Sequence, residues 1–374
     1  MRIPLPDERI GVEGAVDVDV SPTGITPRRM AKAYRHQLPM EVEFLASSPS
    51  GVRLRFATDS RSVGLELLAT HLGVGETVYA ATIDLVADGE RVGSIACDEG
   101  NKVLFDPGGG GFEFIPGEPV TLRFTLAAPA QVVEVWLPNN SVVEVHAVHL
   151  DEGAAVAAAP DPRPRWVHHG SSISHCMEAY SGSRTWPATA ATIAGMNLTN
   201  LGLAGQCHLD QFSARTIRDC AADLLSLKCG INVVNGDTLR MRTFAPALHG
   251  FIDTVRDGHP GTPFLVVSPI ICPAHEDAPG PTDSTTGVIR SAASPVALTQ
   301  GALTLTMIRE IISDVVRTRR KAGDANLHYL DGRELFNEDD LHDLPDGLHP
   351  NGDGYVRMGE RFAELAFGDT GPLH

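Results

Sequence analysis

The chain has 374 residues, 43% of them hydrophobic, and a formal net charge of −17 at neutral pH. Its length suits two domains, and its composition suits a soluble protein with a full hydrophobic core. The acidic balance argues against a surface for nucleic acid or for an anionic membrane, because both surfaces need clusters of basic residues. No run approaches 18 consecutive apolar residues, so the sequence predicts no membrane-spanning helix.

The N-terminal stretch MRIPLPDERIGVEG predicts a cytoplasmic protein. It carries acidic residues by position 8 and lacks the apolar run of a secretory signal. The six cysteines have no spacing typical of a disulfide scaffold. We therefore expect free thiols, as is usual in the cytoplasm.

Residues 1–151 predict an antiparallel β-sandwich with a jelly-roll-like character. In the stretch VTLRFTLAAP, Val120, Leu122, Phe124 and Leu126 alternate with more polar residues, which is the period of a half-buried strand. Similar stretches follow one another with Asp-Gly and Gly turns between them, and helix signals are few. The glycine run Gly108–Gly111 adds to this pattern of short strands and turns.

Residues 152–165 are rich in Ala and Pro and predict a linker to a second domain at 166–374. In that domain, apolar strand-like runs alternate with amphipathic helices such as LTMIREIISDVV. Alternating β and α segments predict an α/β fold with a parallel sheet covered by helices on both faces. The polar segment 273–295 inside this domain is long for a loop, and loops of this length are often functional.

The stretch WVHHGSSISHC at 166–176 combines a predicted strand, a glycine turn and two adjacent serines. In an open parallel sheet, ligands bind beyond the carboxyl ends of the strands. A serine at the start of the following helix lies near free backbone N–H groups, which can stabilise a developing oxyanion. Such a serine still needs a base before it can act as a nucleophile.

The stretch DGLH supplies a candidate base. Asp346 and His349 are three residues apart, so the carboxylate can hold Nδ1–H of the imidazole and leave Nε2 for a serine hydroxyl. The pattern is weak by itself, because the chain contains a second copy, Asp339 and His342.

Four short blocks in the second domain resemble those of the SGNH hydrolases, also called GDSL esterases, and they occur in the order of that family. The blocks are Gly170–Ile173, Asn200–Gly205, Gly230–Asn232 and Asp346–Pro350. The resemblance covers roughly residues 166–370. It implies a flavodoxin-like parallel sheet.

The resemblance implies a role for each matching residue. Ser172 would be the nucleophile, His349 the base and Asp346 the residue that orients the base, while the oxyanion would be held by Gly205, Asn232 and the N–H of Ser172. The nucleophile of the family directly precedes the Leu/Ile position, which favours Ser172 over Ser171.

The sequence departs from the family pattern at two positions. Ser171 and Val233 stand where the family often has acidic residues, so the geometry of these turns is in question. Asn235 is a rival for the role of Asn232, although it lacks the Gly-x-Asn spacing.

The two-domain layout also resembles the GDSL-type acyltransferases of tetracycline-type polyketide tailoring, which place a salicylyl group on a hydroxyl. That similarity implies an acyltransferase that takes an acyl group, such as an aryl group from a CoA thioester, and places it on a small-molecule hydroxyl. Some carbohydrate acetylesterases share the layout, so hydrolysis of acyl esters is the alternative. The missing export signal favours transfer, because enzymes that deacetylate wall polysaccharides are generally exported. We expect no cofactor and no metal, and the sequence leaves the oligomeric state open.

Two further hypotheses concern function. A non-catalytic binding module is one, but the complete set of Ser, Gly, Asn and Asp-His residues argues against it. A metal site is the other, because imidazole and thiolate are zinc ligands. The candidate ligands lack the spacing of a known metal site; they are His168, His169, His175, Cys176, Cys207 and His208. Cys176 could also be considered as a nucleophile, but it has no matching position in the family.

Overall fold

In the computed structural model, residues 1–74, 77–105 and 111–374 are described. The chain divides into two compact units. The first unit contains Met1–Arg163 and Tyr180–Thr185, and the second contains Pro164–Ala179 and Trp186–His374. No helix among the described residues is long and apolar enough to cross a membrane.

The first unit is built almost entirely of strands. Its helices are α1 (Met40–Ala46) and the short 3₁₀ turns Lys32–Gln37 and Gly182–Arg184. Its strands are β1 (Arg2–Pro4), β2 (Gly11–Glu13), β3 (Asp17–Val20), β4 (Ile25–Arg28), β5 (Arg53–Thr58), β6 (Ser62–Val74), β7 (Thr77–Val78), β8 (Ala81–Ala87), β9 (Glu90–Cys97), β10 (Asn101–Phe105), β11 (Phe112–Ile115), β12 (Val120–Thr125), β13 (Val132–Trp136), β14 (Ser141–Leu150) and β15 (Val156–Ala158).

These strands form two sheets around one hydrophobic core. One sheet has the order β11-β10-β6-β14-β4-β3, with β1 beside β14 and with β7 and β12 beside β6. The other has the order β15-β5-β13-β8-β9, with β2 beside β5. Buried residues of both sheets, such as Leu54 and Leu67, belong to the same core. On β12, Leu122 and Phe124 are buried while their neighbours are exposed, as the alternation predicts.

The structure corrects the expected strand pairing of the first domain. The pairing is antiparallel apart from β6 and β10, which run parallel within the described residues. The chain enters β10 from β9 in the other sheet, so no tight turn forces an antiparallel direction on the pair β6 and β10. The glycine run Gly108–Gly111 stays a prediction, because its residues 108–110 lie outside the described residues.

The two compact units have other boundaries than the predicted domains. The predicted linker 152–165 carries β15, which pairs with β5, so most of this segment belongs to the first unit. Residues 180–185, expected in the second domain, also belong to the first unit. The hydroxyl of Ser183 donates a hydrogen bond of 2.5 Å to buried Asp84, and this contact fastens the segment to β8.

The second unit contains a parallel sheet of β16 (Arg165–Gly170), β17 (Asn197–Asn200), β18 (Leu224–Lys228), β19 (Phe264–Val267) and β22 (Leu327–Leu330). The order across the sheet is β17-β16-β18-β19-β22, so the first strand of the unit lies between the second and the third. This is the strand order of flavodoxin-like folds, whose ligands bind where the winding reverses. A separate two-stranded hairpin joins β20 (Thr282–Asp283) and β21 (Arg290–Ser291).

Helices cover both faces of this sheet. They are α2 (Ser172–His175), α3 (Trp186–Ala194), α4 (Gln211–Asp219), α5 (Ile231–Asn235), α6 (Met241–Gly258), α7 (Leu305–Lys321) and α8 (Gly352–Phe362), with 3₁₀ turns at Leu298–Gln300, Gly332–Glu334 and Glu338–Asp343 and a π-helical turn at Ala363–Phe367. The ring of His168 packs against Trp186 of α3, with the ring centroids 4.7 Å apart. The ring of the next residue, His169, stacks on Phe251 of α6, with the ring centroids 5.9 Å apart. Successive strand residues point to opposite faces, so α3 and α6 lie on opposite sides of the sheet.

Candidate active site

The candidate nucleophile lies in a tight turn at the carboxyl end of β16. A Cβ on Gly170 would lie 2.2 Å from the hydroxyl of Ser174, so only glycine fits where the chain turns from strand to helix. Ser172 is the first residue of α2 and is 8% exposed. Ser171, which replaces the acidic residue of the family, is fully buried, and its hydroxyl has no hydrogen-bond partner within the described part of the chain.

The structure brings together Ser172, His349 and Asp346, which are far apart in the sequence. The hydroxyl of Ser172 donates to Nε2 of His349 at 2.9 Å, and Nδ1–H of His349 donates to Oδ2 of Asp346 at 2.6 Å. The other carboxylate oxygen, Oδ1, accepts from the backbone N–H groups of His349 at 2.7 Å and Leu348 at 2.8 Å. Asp346 therefore fixes both the tautomer and the orientation of the imidazole, as in a serine–histidine–aspartate triad.

The electrostatics of this group favour a charged Asp346 and a basic His349. Burial works to raise the pKa of Asp346, but the hydrogen bonds from His349 and from backbone N–H groups lower it to about 2. Burial works to lower the pKa of His349, but the hydrogen bond to Asp346 and the charges of Glu178 and Asp346 raise it above its ordinary value. A histidine of this kind is well suited to accept the proton of a serine hydroxyl.

Asn232 lies in α5, directly after the carboxyl end of β18. The helix begins after Gly230, whose φ of 118° suits glycine. Oδ1 of Asn232 accepts a hydrogen bond of 3.0 Å from the backbone N–H of Cys207. Because a backbone N–H can only donate, this bond fixes the amide orientation and leaves the Nδ2 donor group for another acceptor.

Gly205 follows β17 and has a φ of 70°, which few residues other than glycine adopt without strain. The second block is also tied to the nucleophile turn, because the side-chain amide of Asn200 donates to the carbonyl of Ser174 at 2.8 Å. The three segments that carry Ser172, Gly205 and Asn232 thus follow β16, β17 and β18, which are neighbours at the point where the winding reverses.

The second Asp-x-x-His copy does not form an equivalent pair. Nε2 of His342 lies 3.5 Å from a carboxylate oxygen of the adjacent residue Asp343, and the His342 side chain is 67% exposed. The backbone N–H of Asp339 is hydrogen-bonded to Asn337 at the start of a 3₁₀ turn. This copy of the pattern is part of a turn at the surface.

Three residues of the metal hypothesis, His168, His208 and Cys176, are hydrogen-bonded within the fold. Both ring nitrogens of His168 are hydrogen-bonded to serine hydroxyls, at 2.7 Å to Ser226 and 2.8 Å to Ser174. His208 donates to the carbonyl of Gly205 at 3.0 Å. No group of three His, Cys, Asp or Glu residues that could hold a metal ion occurs within residues 1–74, 77–105 and 111–374. The thiol of Cys176 is buried and donates to the carbonyl of Ile173 at 3.0 Å.

The long polar segment 273–295 contacts both the loop that carries Asp346 and the helix α5, which carries Asn232. The backbone N–H of Ile289 donates to the carbonyl of Asp346 at 2.9 Å. On the other side, the hydroxyl of Thr282 donates to Oδ1 of Asn235, the rival asparagine, at 3.1 Å. A Cβ on Gly280 would lie 1.7 Å from the carbonyl of Val234 in α5, so the segment runs very close to this helix.

Two residues of this region, Glu178 and Tyr355, were not predicted from the sequence as site residues. The hydroxyl of Tyr355 donates to Oε2 of Glu178 at 2.9 Å. Neither residue belongs to one of the four family-like blocks or to a recognisable spacing. Glu178 lies six residues after Ser172 and Tyr355 lies six residues after His349, and only the fold makes these equal distances meaningful.

The chain is similar to several solved structures over nearly its whole length. Among solved structures, the chain is similar to the salicylyl-acyltransferase SsfX3 from a tetracycline biosynthetic pathway, with 27% identity, a TM-score of 0.79 and coverage of 96% of this chain and 95% of that one. Two further similar structures share the fold. A putative GDSL-like lipase from Bacteroides ovatus has 18% identity, a TM-score of 0.68 and coverage of 97% and 95%, and a family two carbohydrate esterase from Cellvibrio japonicus has 13% identity, a TM-score of 0.58 and coverage of 97% and 96%.

No curated protein sequence matches the chain. The model of the GDSL-like lipase/acylhydrolase family matches residues 169–357, which is just over half of the chain and includes Ser172, Gly205, Asn232, Asp346 and His349. The chain therefore belongs to the GDSL-like lipase/acylhydrolase family, and it is an enzyme of this class.

Proposed function

We propose that this enzyme is a serine-dependent acyltransferase that moves an acyl group from a thioester, through an acyl-enzyme, onto a hydroxyl of a small molecule. The observation that carries the proposal is the continuous chain of hydrogen bonds from Ser172 through His349 to Asp346. For the first unit we propose a jelly-roll-like arrangement of its two sheets.

In the first half of the proposed reaction, Nε2 of His349 takes the proton of the Ser172 hydroxyl while Oγ attacks the thioester carbonyl. The tetrahedral oxyanion would accept hydrogen bonds from the N–H groups of Ser172 and Gly205 and from Nδ2 of Asn232. When the carbon–sulfur bond breaks, His349 returns its proton to the leaving sulfur, which departs as a thiol. An acyl ester on Ser172 remains.

In the second half, the hydroxyl of the acceptor gives its proton to His349 and attacks the acyl ester. Collapse of the second tetrahedral intermediate breaks the bond to Oγ, and His349 returns the proton to Ser172. The ester product leaves the enzyme in its starting state. No cofactor or metal enters these steps.

Transfer rather than hydrolysis requires that the acceptor compete with water, which is present at about 55 M. Effective molarities of well-oriented groups reach about 10⁵–10⁸ M, so a bound acceptor can win if the site holds it in position. Segment 273–295 supports this proposal, because it contacts both α5 and the carbonyl of Asp346. The similarity to SsfX3, at 27% identity over nearly the whole chain, points in the same direction.

Hydrolysis of acyl groups on carbohydrates or small esters is the second candidate. It is favoured by the shared fold of the family two carbohydrate esterases. The two candidates use the same first half of the reaction and differ only in the second nucleophile. The ratio of ester product to free acid therefore distinguishes the two candidates.

The experiment supplies one aryl thioester, such as salicylyl-CoA, with increasing amounts of a polycyclic or glycosylated alcohol. If the enzyme is a transferase, ester product rises to saturation while free acid falls. Free acid as the only product across a broad acceptor panel, together with rapid hydrolysis of acetylated sugars, would establish the esterase instead. Intact-mass measurement of the protein with a panel of thioesters should show the acyl group on the wild type and no mass gain in Ser172→Ala.

A further inference from the structure

Two hydrogen bonds join the same two segments of the second unit. One is the bond from Ser172 to His349, and the other is the bond from Tyr355 to Glu178. Each spans 177 residues and each is 2.9 Å long. The segment after β16 thus contributes Ser172 and Glu178. His349 lies in the loop before α8, and Tyr355 lies in the first turn of that helix.

The side chain of Tyr355 is suited to hold Glu178 in place. Tyr355 is fully buried, whereas Glu178 is exposed to solvent. Burial and the charge of Glu178 raise the pKa of Tyr355 well above its ordinary value, so its hydroxyl stays protonated and donates. A buried tyrosine hydroxyl needs a hydrogen-bond partner, and here an otherwise solvent-exposed carboxylate meets that need.

The charged groups that act on His349 come from two elements. Asp346 precedes it in the same loop, and Glu178 approaches from the segment after α2; both are acidic, and both raise the pKa of the imidazole against the effect of burial. Ser172, which is hydrogen-bonded to His349, and the protonated Tyr355, which is hydrogen-bonded to Glu178, are uncharged. Glu178 therefore adds a negative charge to the surroundings of a histidine that must become positive during the proposed reaction.

We propose that Glu178, held by Tyr355, is a positioning residue that stabilises the imidazolium form of His349 together with Asp346. This inference rests on the proposed function, because it concerns the base of that reaction. Two carboxylates would then act on His349: Asp346 orients the ring, and Glu178 acts through its charge.

The test compares pH profiles of kcat/KM for the wild type, Glu178→Gln and Tyr355→Phe, with one thioester donor and one acceptor. Glu178→Gln keeps an acceptor for the Tyr355 hydroxyl and removes only the charge. Tyr355→Phe keeps the ring and releases the carboxylate. Glu360→Gln, an exposed glutamate on α8, is the matched control for the loss of one negative charge.

The expected direction follows from the need for a neutral base. Without the charge of Glu178, His349 loses its proton at lower pH, so the acid limb of the profile should move to lower pH. On the alkaline plateau kcat/KM should fall several-fold, because the imidazolium of the transition state is less stabilised. Tyr355→Phe should change the position of the acid limb and the height of the plateau in the same direction but by a smaller amount. Glu360→Gln should change neither. A Glu178→Gln profile that coincides with the wild type, or that moves to higher pH, would overturn the inference.

A second measurement does not depend on turnover. The imidazole signals of His349, assigned by their loss in His349→Gln, are titrated by NMR in Ser172→Ala and in the double variant with Glu178→Gln. The pKa of His349 should be lower in the double variant, and an unchanged value contradicts the role of Glu178. If Ser172→Ala instead retains turnover, the proposed function fails while this titration still gives its own result.

Discussion

Replacing Asn232 by alanine should slow the enzyme far more than it weakens substrate binding. Loss of one preorganised oxyanion donor typically lowers kcat by about 10²–10³, which corresponds to about 2.7–4 kcal/mol of transition-state stabilisation. The structure adds a second expected effect. The same side chain accepts the backbone N–H of buried Cys207, and leaving such a group without an acceptor costs about 1–3 kcal/mol of folding free energy.

An aspartate at the same position separates these two effects. In Asn232→Asp, one carboxylate oxygen can still accept from Cys207, while an oxygen replaces the Nδ2 donor. We therefore expect a loss of kcat at least as large as that of the alanine variant, with a smaller loss of stability. Each kcal/mol should lower the melting temperature of a unit of this size by about 2–4 °C, which thermal unfolding can resolve.

The assay is the steady-state rate with one thioester donor and a saturating acceptor, with KM and melting temperature measured on the same preparations. Asn235→Ala is the matched control, because Asn235 lies in the same helix and its Oδ1 accepts from Thr282. Its kcat should stay within a few-fold of the wild type. If Asn232→Ala loses less than about ten-fold while Asn235→Ala is strongly impaired, the oxyanion donor has been assigned to the wrong asparagine.

Two further predictions concern single side chains. Ser172→Ala and His349→Ala should each abolish turnover without unfolding the protein, while Asp346→Asn should reduce turnover less, because it disturbs the orientation of the base and removes no reacting atom; a Ser172→Ala variant with normal turnover would refute the mechanism. Lys228 is fully buried, and its desolvation lowers its pKa to about 8. Because the unfolded chain keeps this proton up to about pH 10.5, the contribution of Lys228 to stability should rise between about pH 8 and 10.5, by up to about 3 kcal/mol. The difference in unfolding free energy between Lys228→Met and the wild type should therefore shrink over this range, and a constant difference would show that Lys228 is not desolvated.

The sequence by itself determined the features that depend on local pattern. Alternating apolar residues such as Leu122 and Phe124 identify strands of the first unit, because a strand exposes every second residue to the same environment. The change to alternating strands and amphipathic helices identifies the parallel sheet of the second. The blocks around Ser172 and His349 could be found because turn glycines and the Asp-x-x-His spacing are local requirements of the family.

Only the tertiary structure decided which of several equivalent local patterns meet. Asp339 and His342 have the same spacing as Asp346 and His349, yet only His349 lies within hydrogen-bond distance of Ser172. The parallel pairing of β6 with β10, and the place of residues 180–185 in the first unit, likewise follow from contacts between distant parts of the chain.

The bond between Tyr355 and Glu178 shows the reason most clearly. A buried tyrosine in a helix and an exposed glutamate in a loop are ordinary residues, and neither carries a pattern of its own. They become part of the site because the fold places the segment after β16 beside the loop before α8 and the first turn of that helix. Local periodicity determines which face of an element is buried, whereas the partners of a polar side chain depend on how the elements are arranged in space.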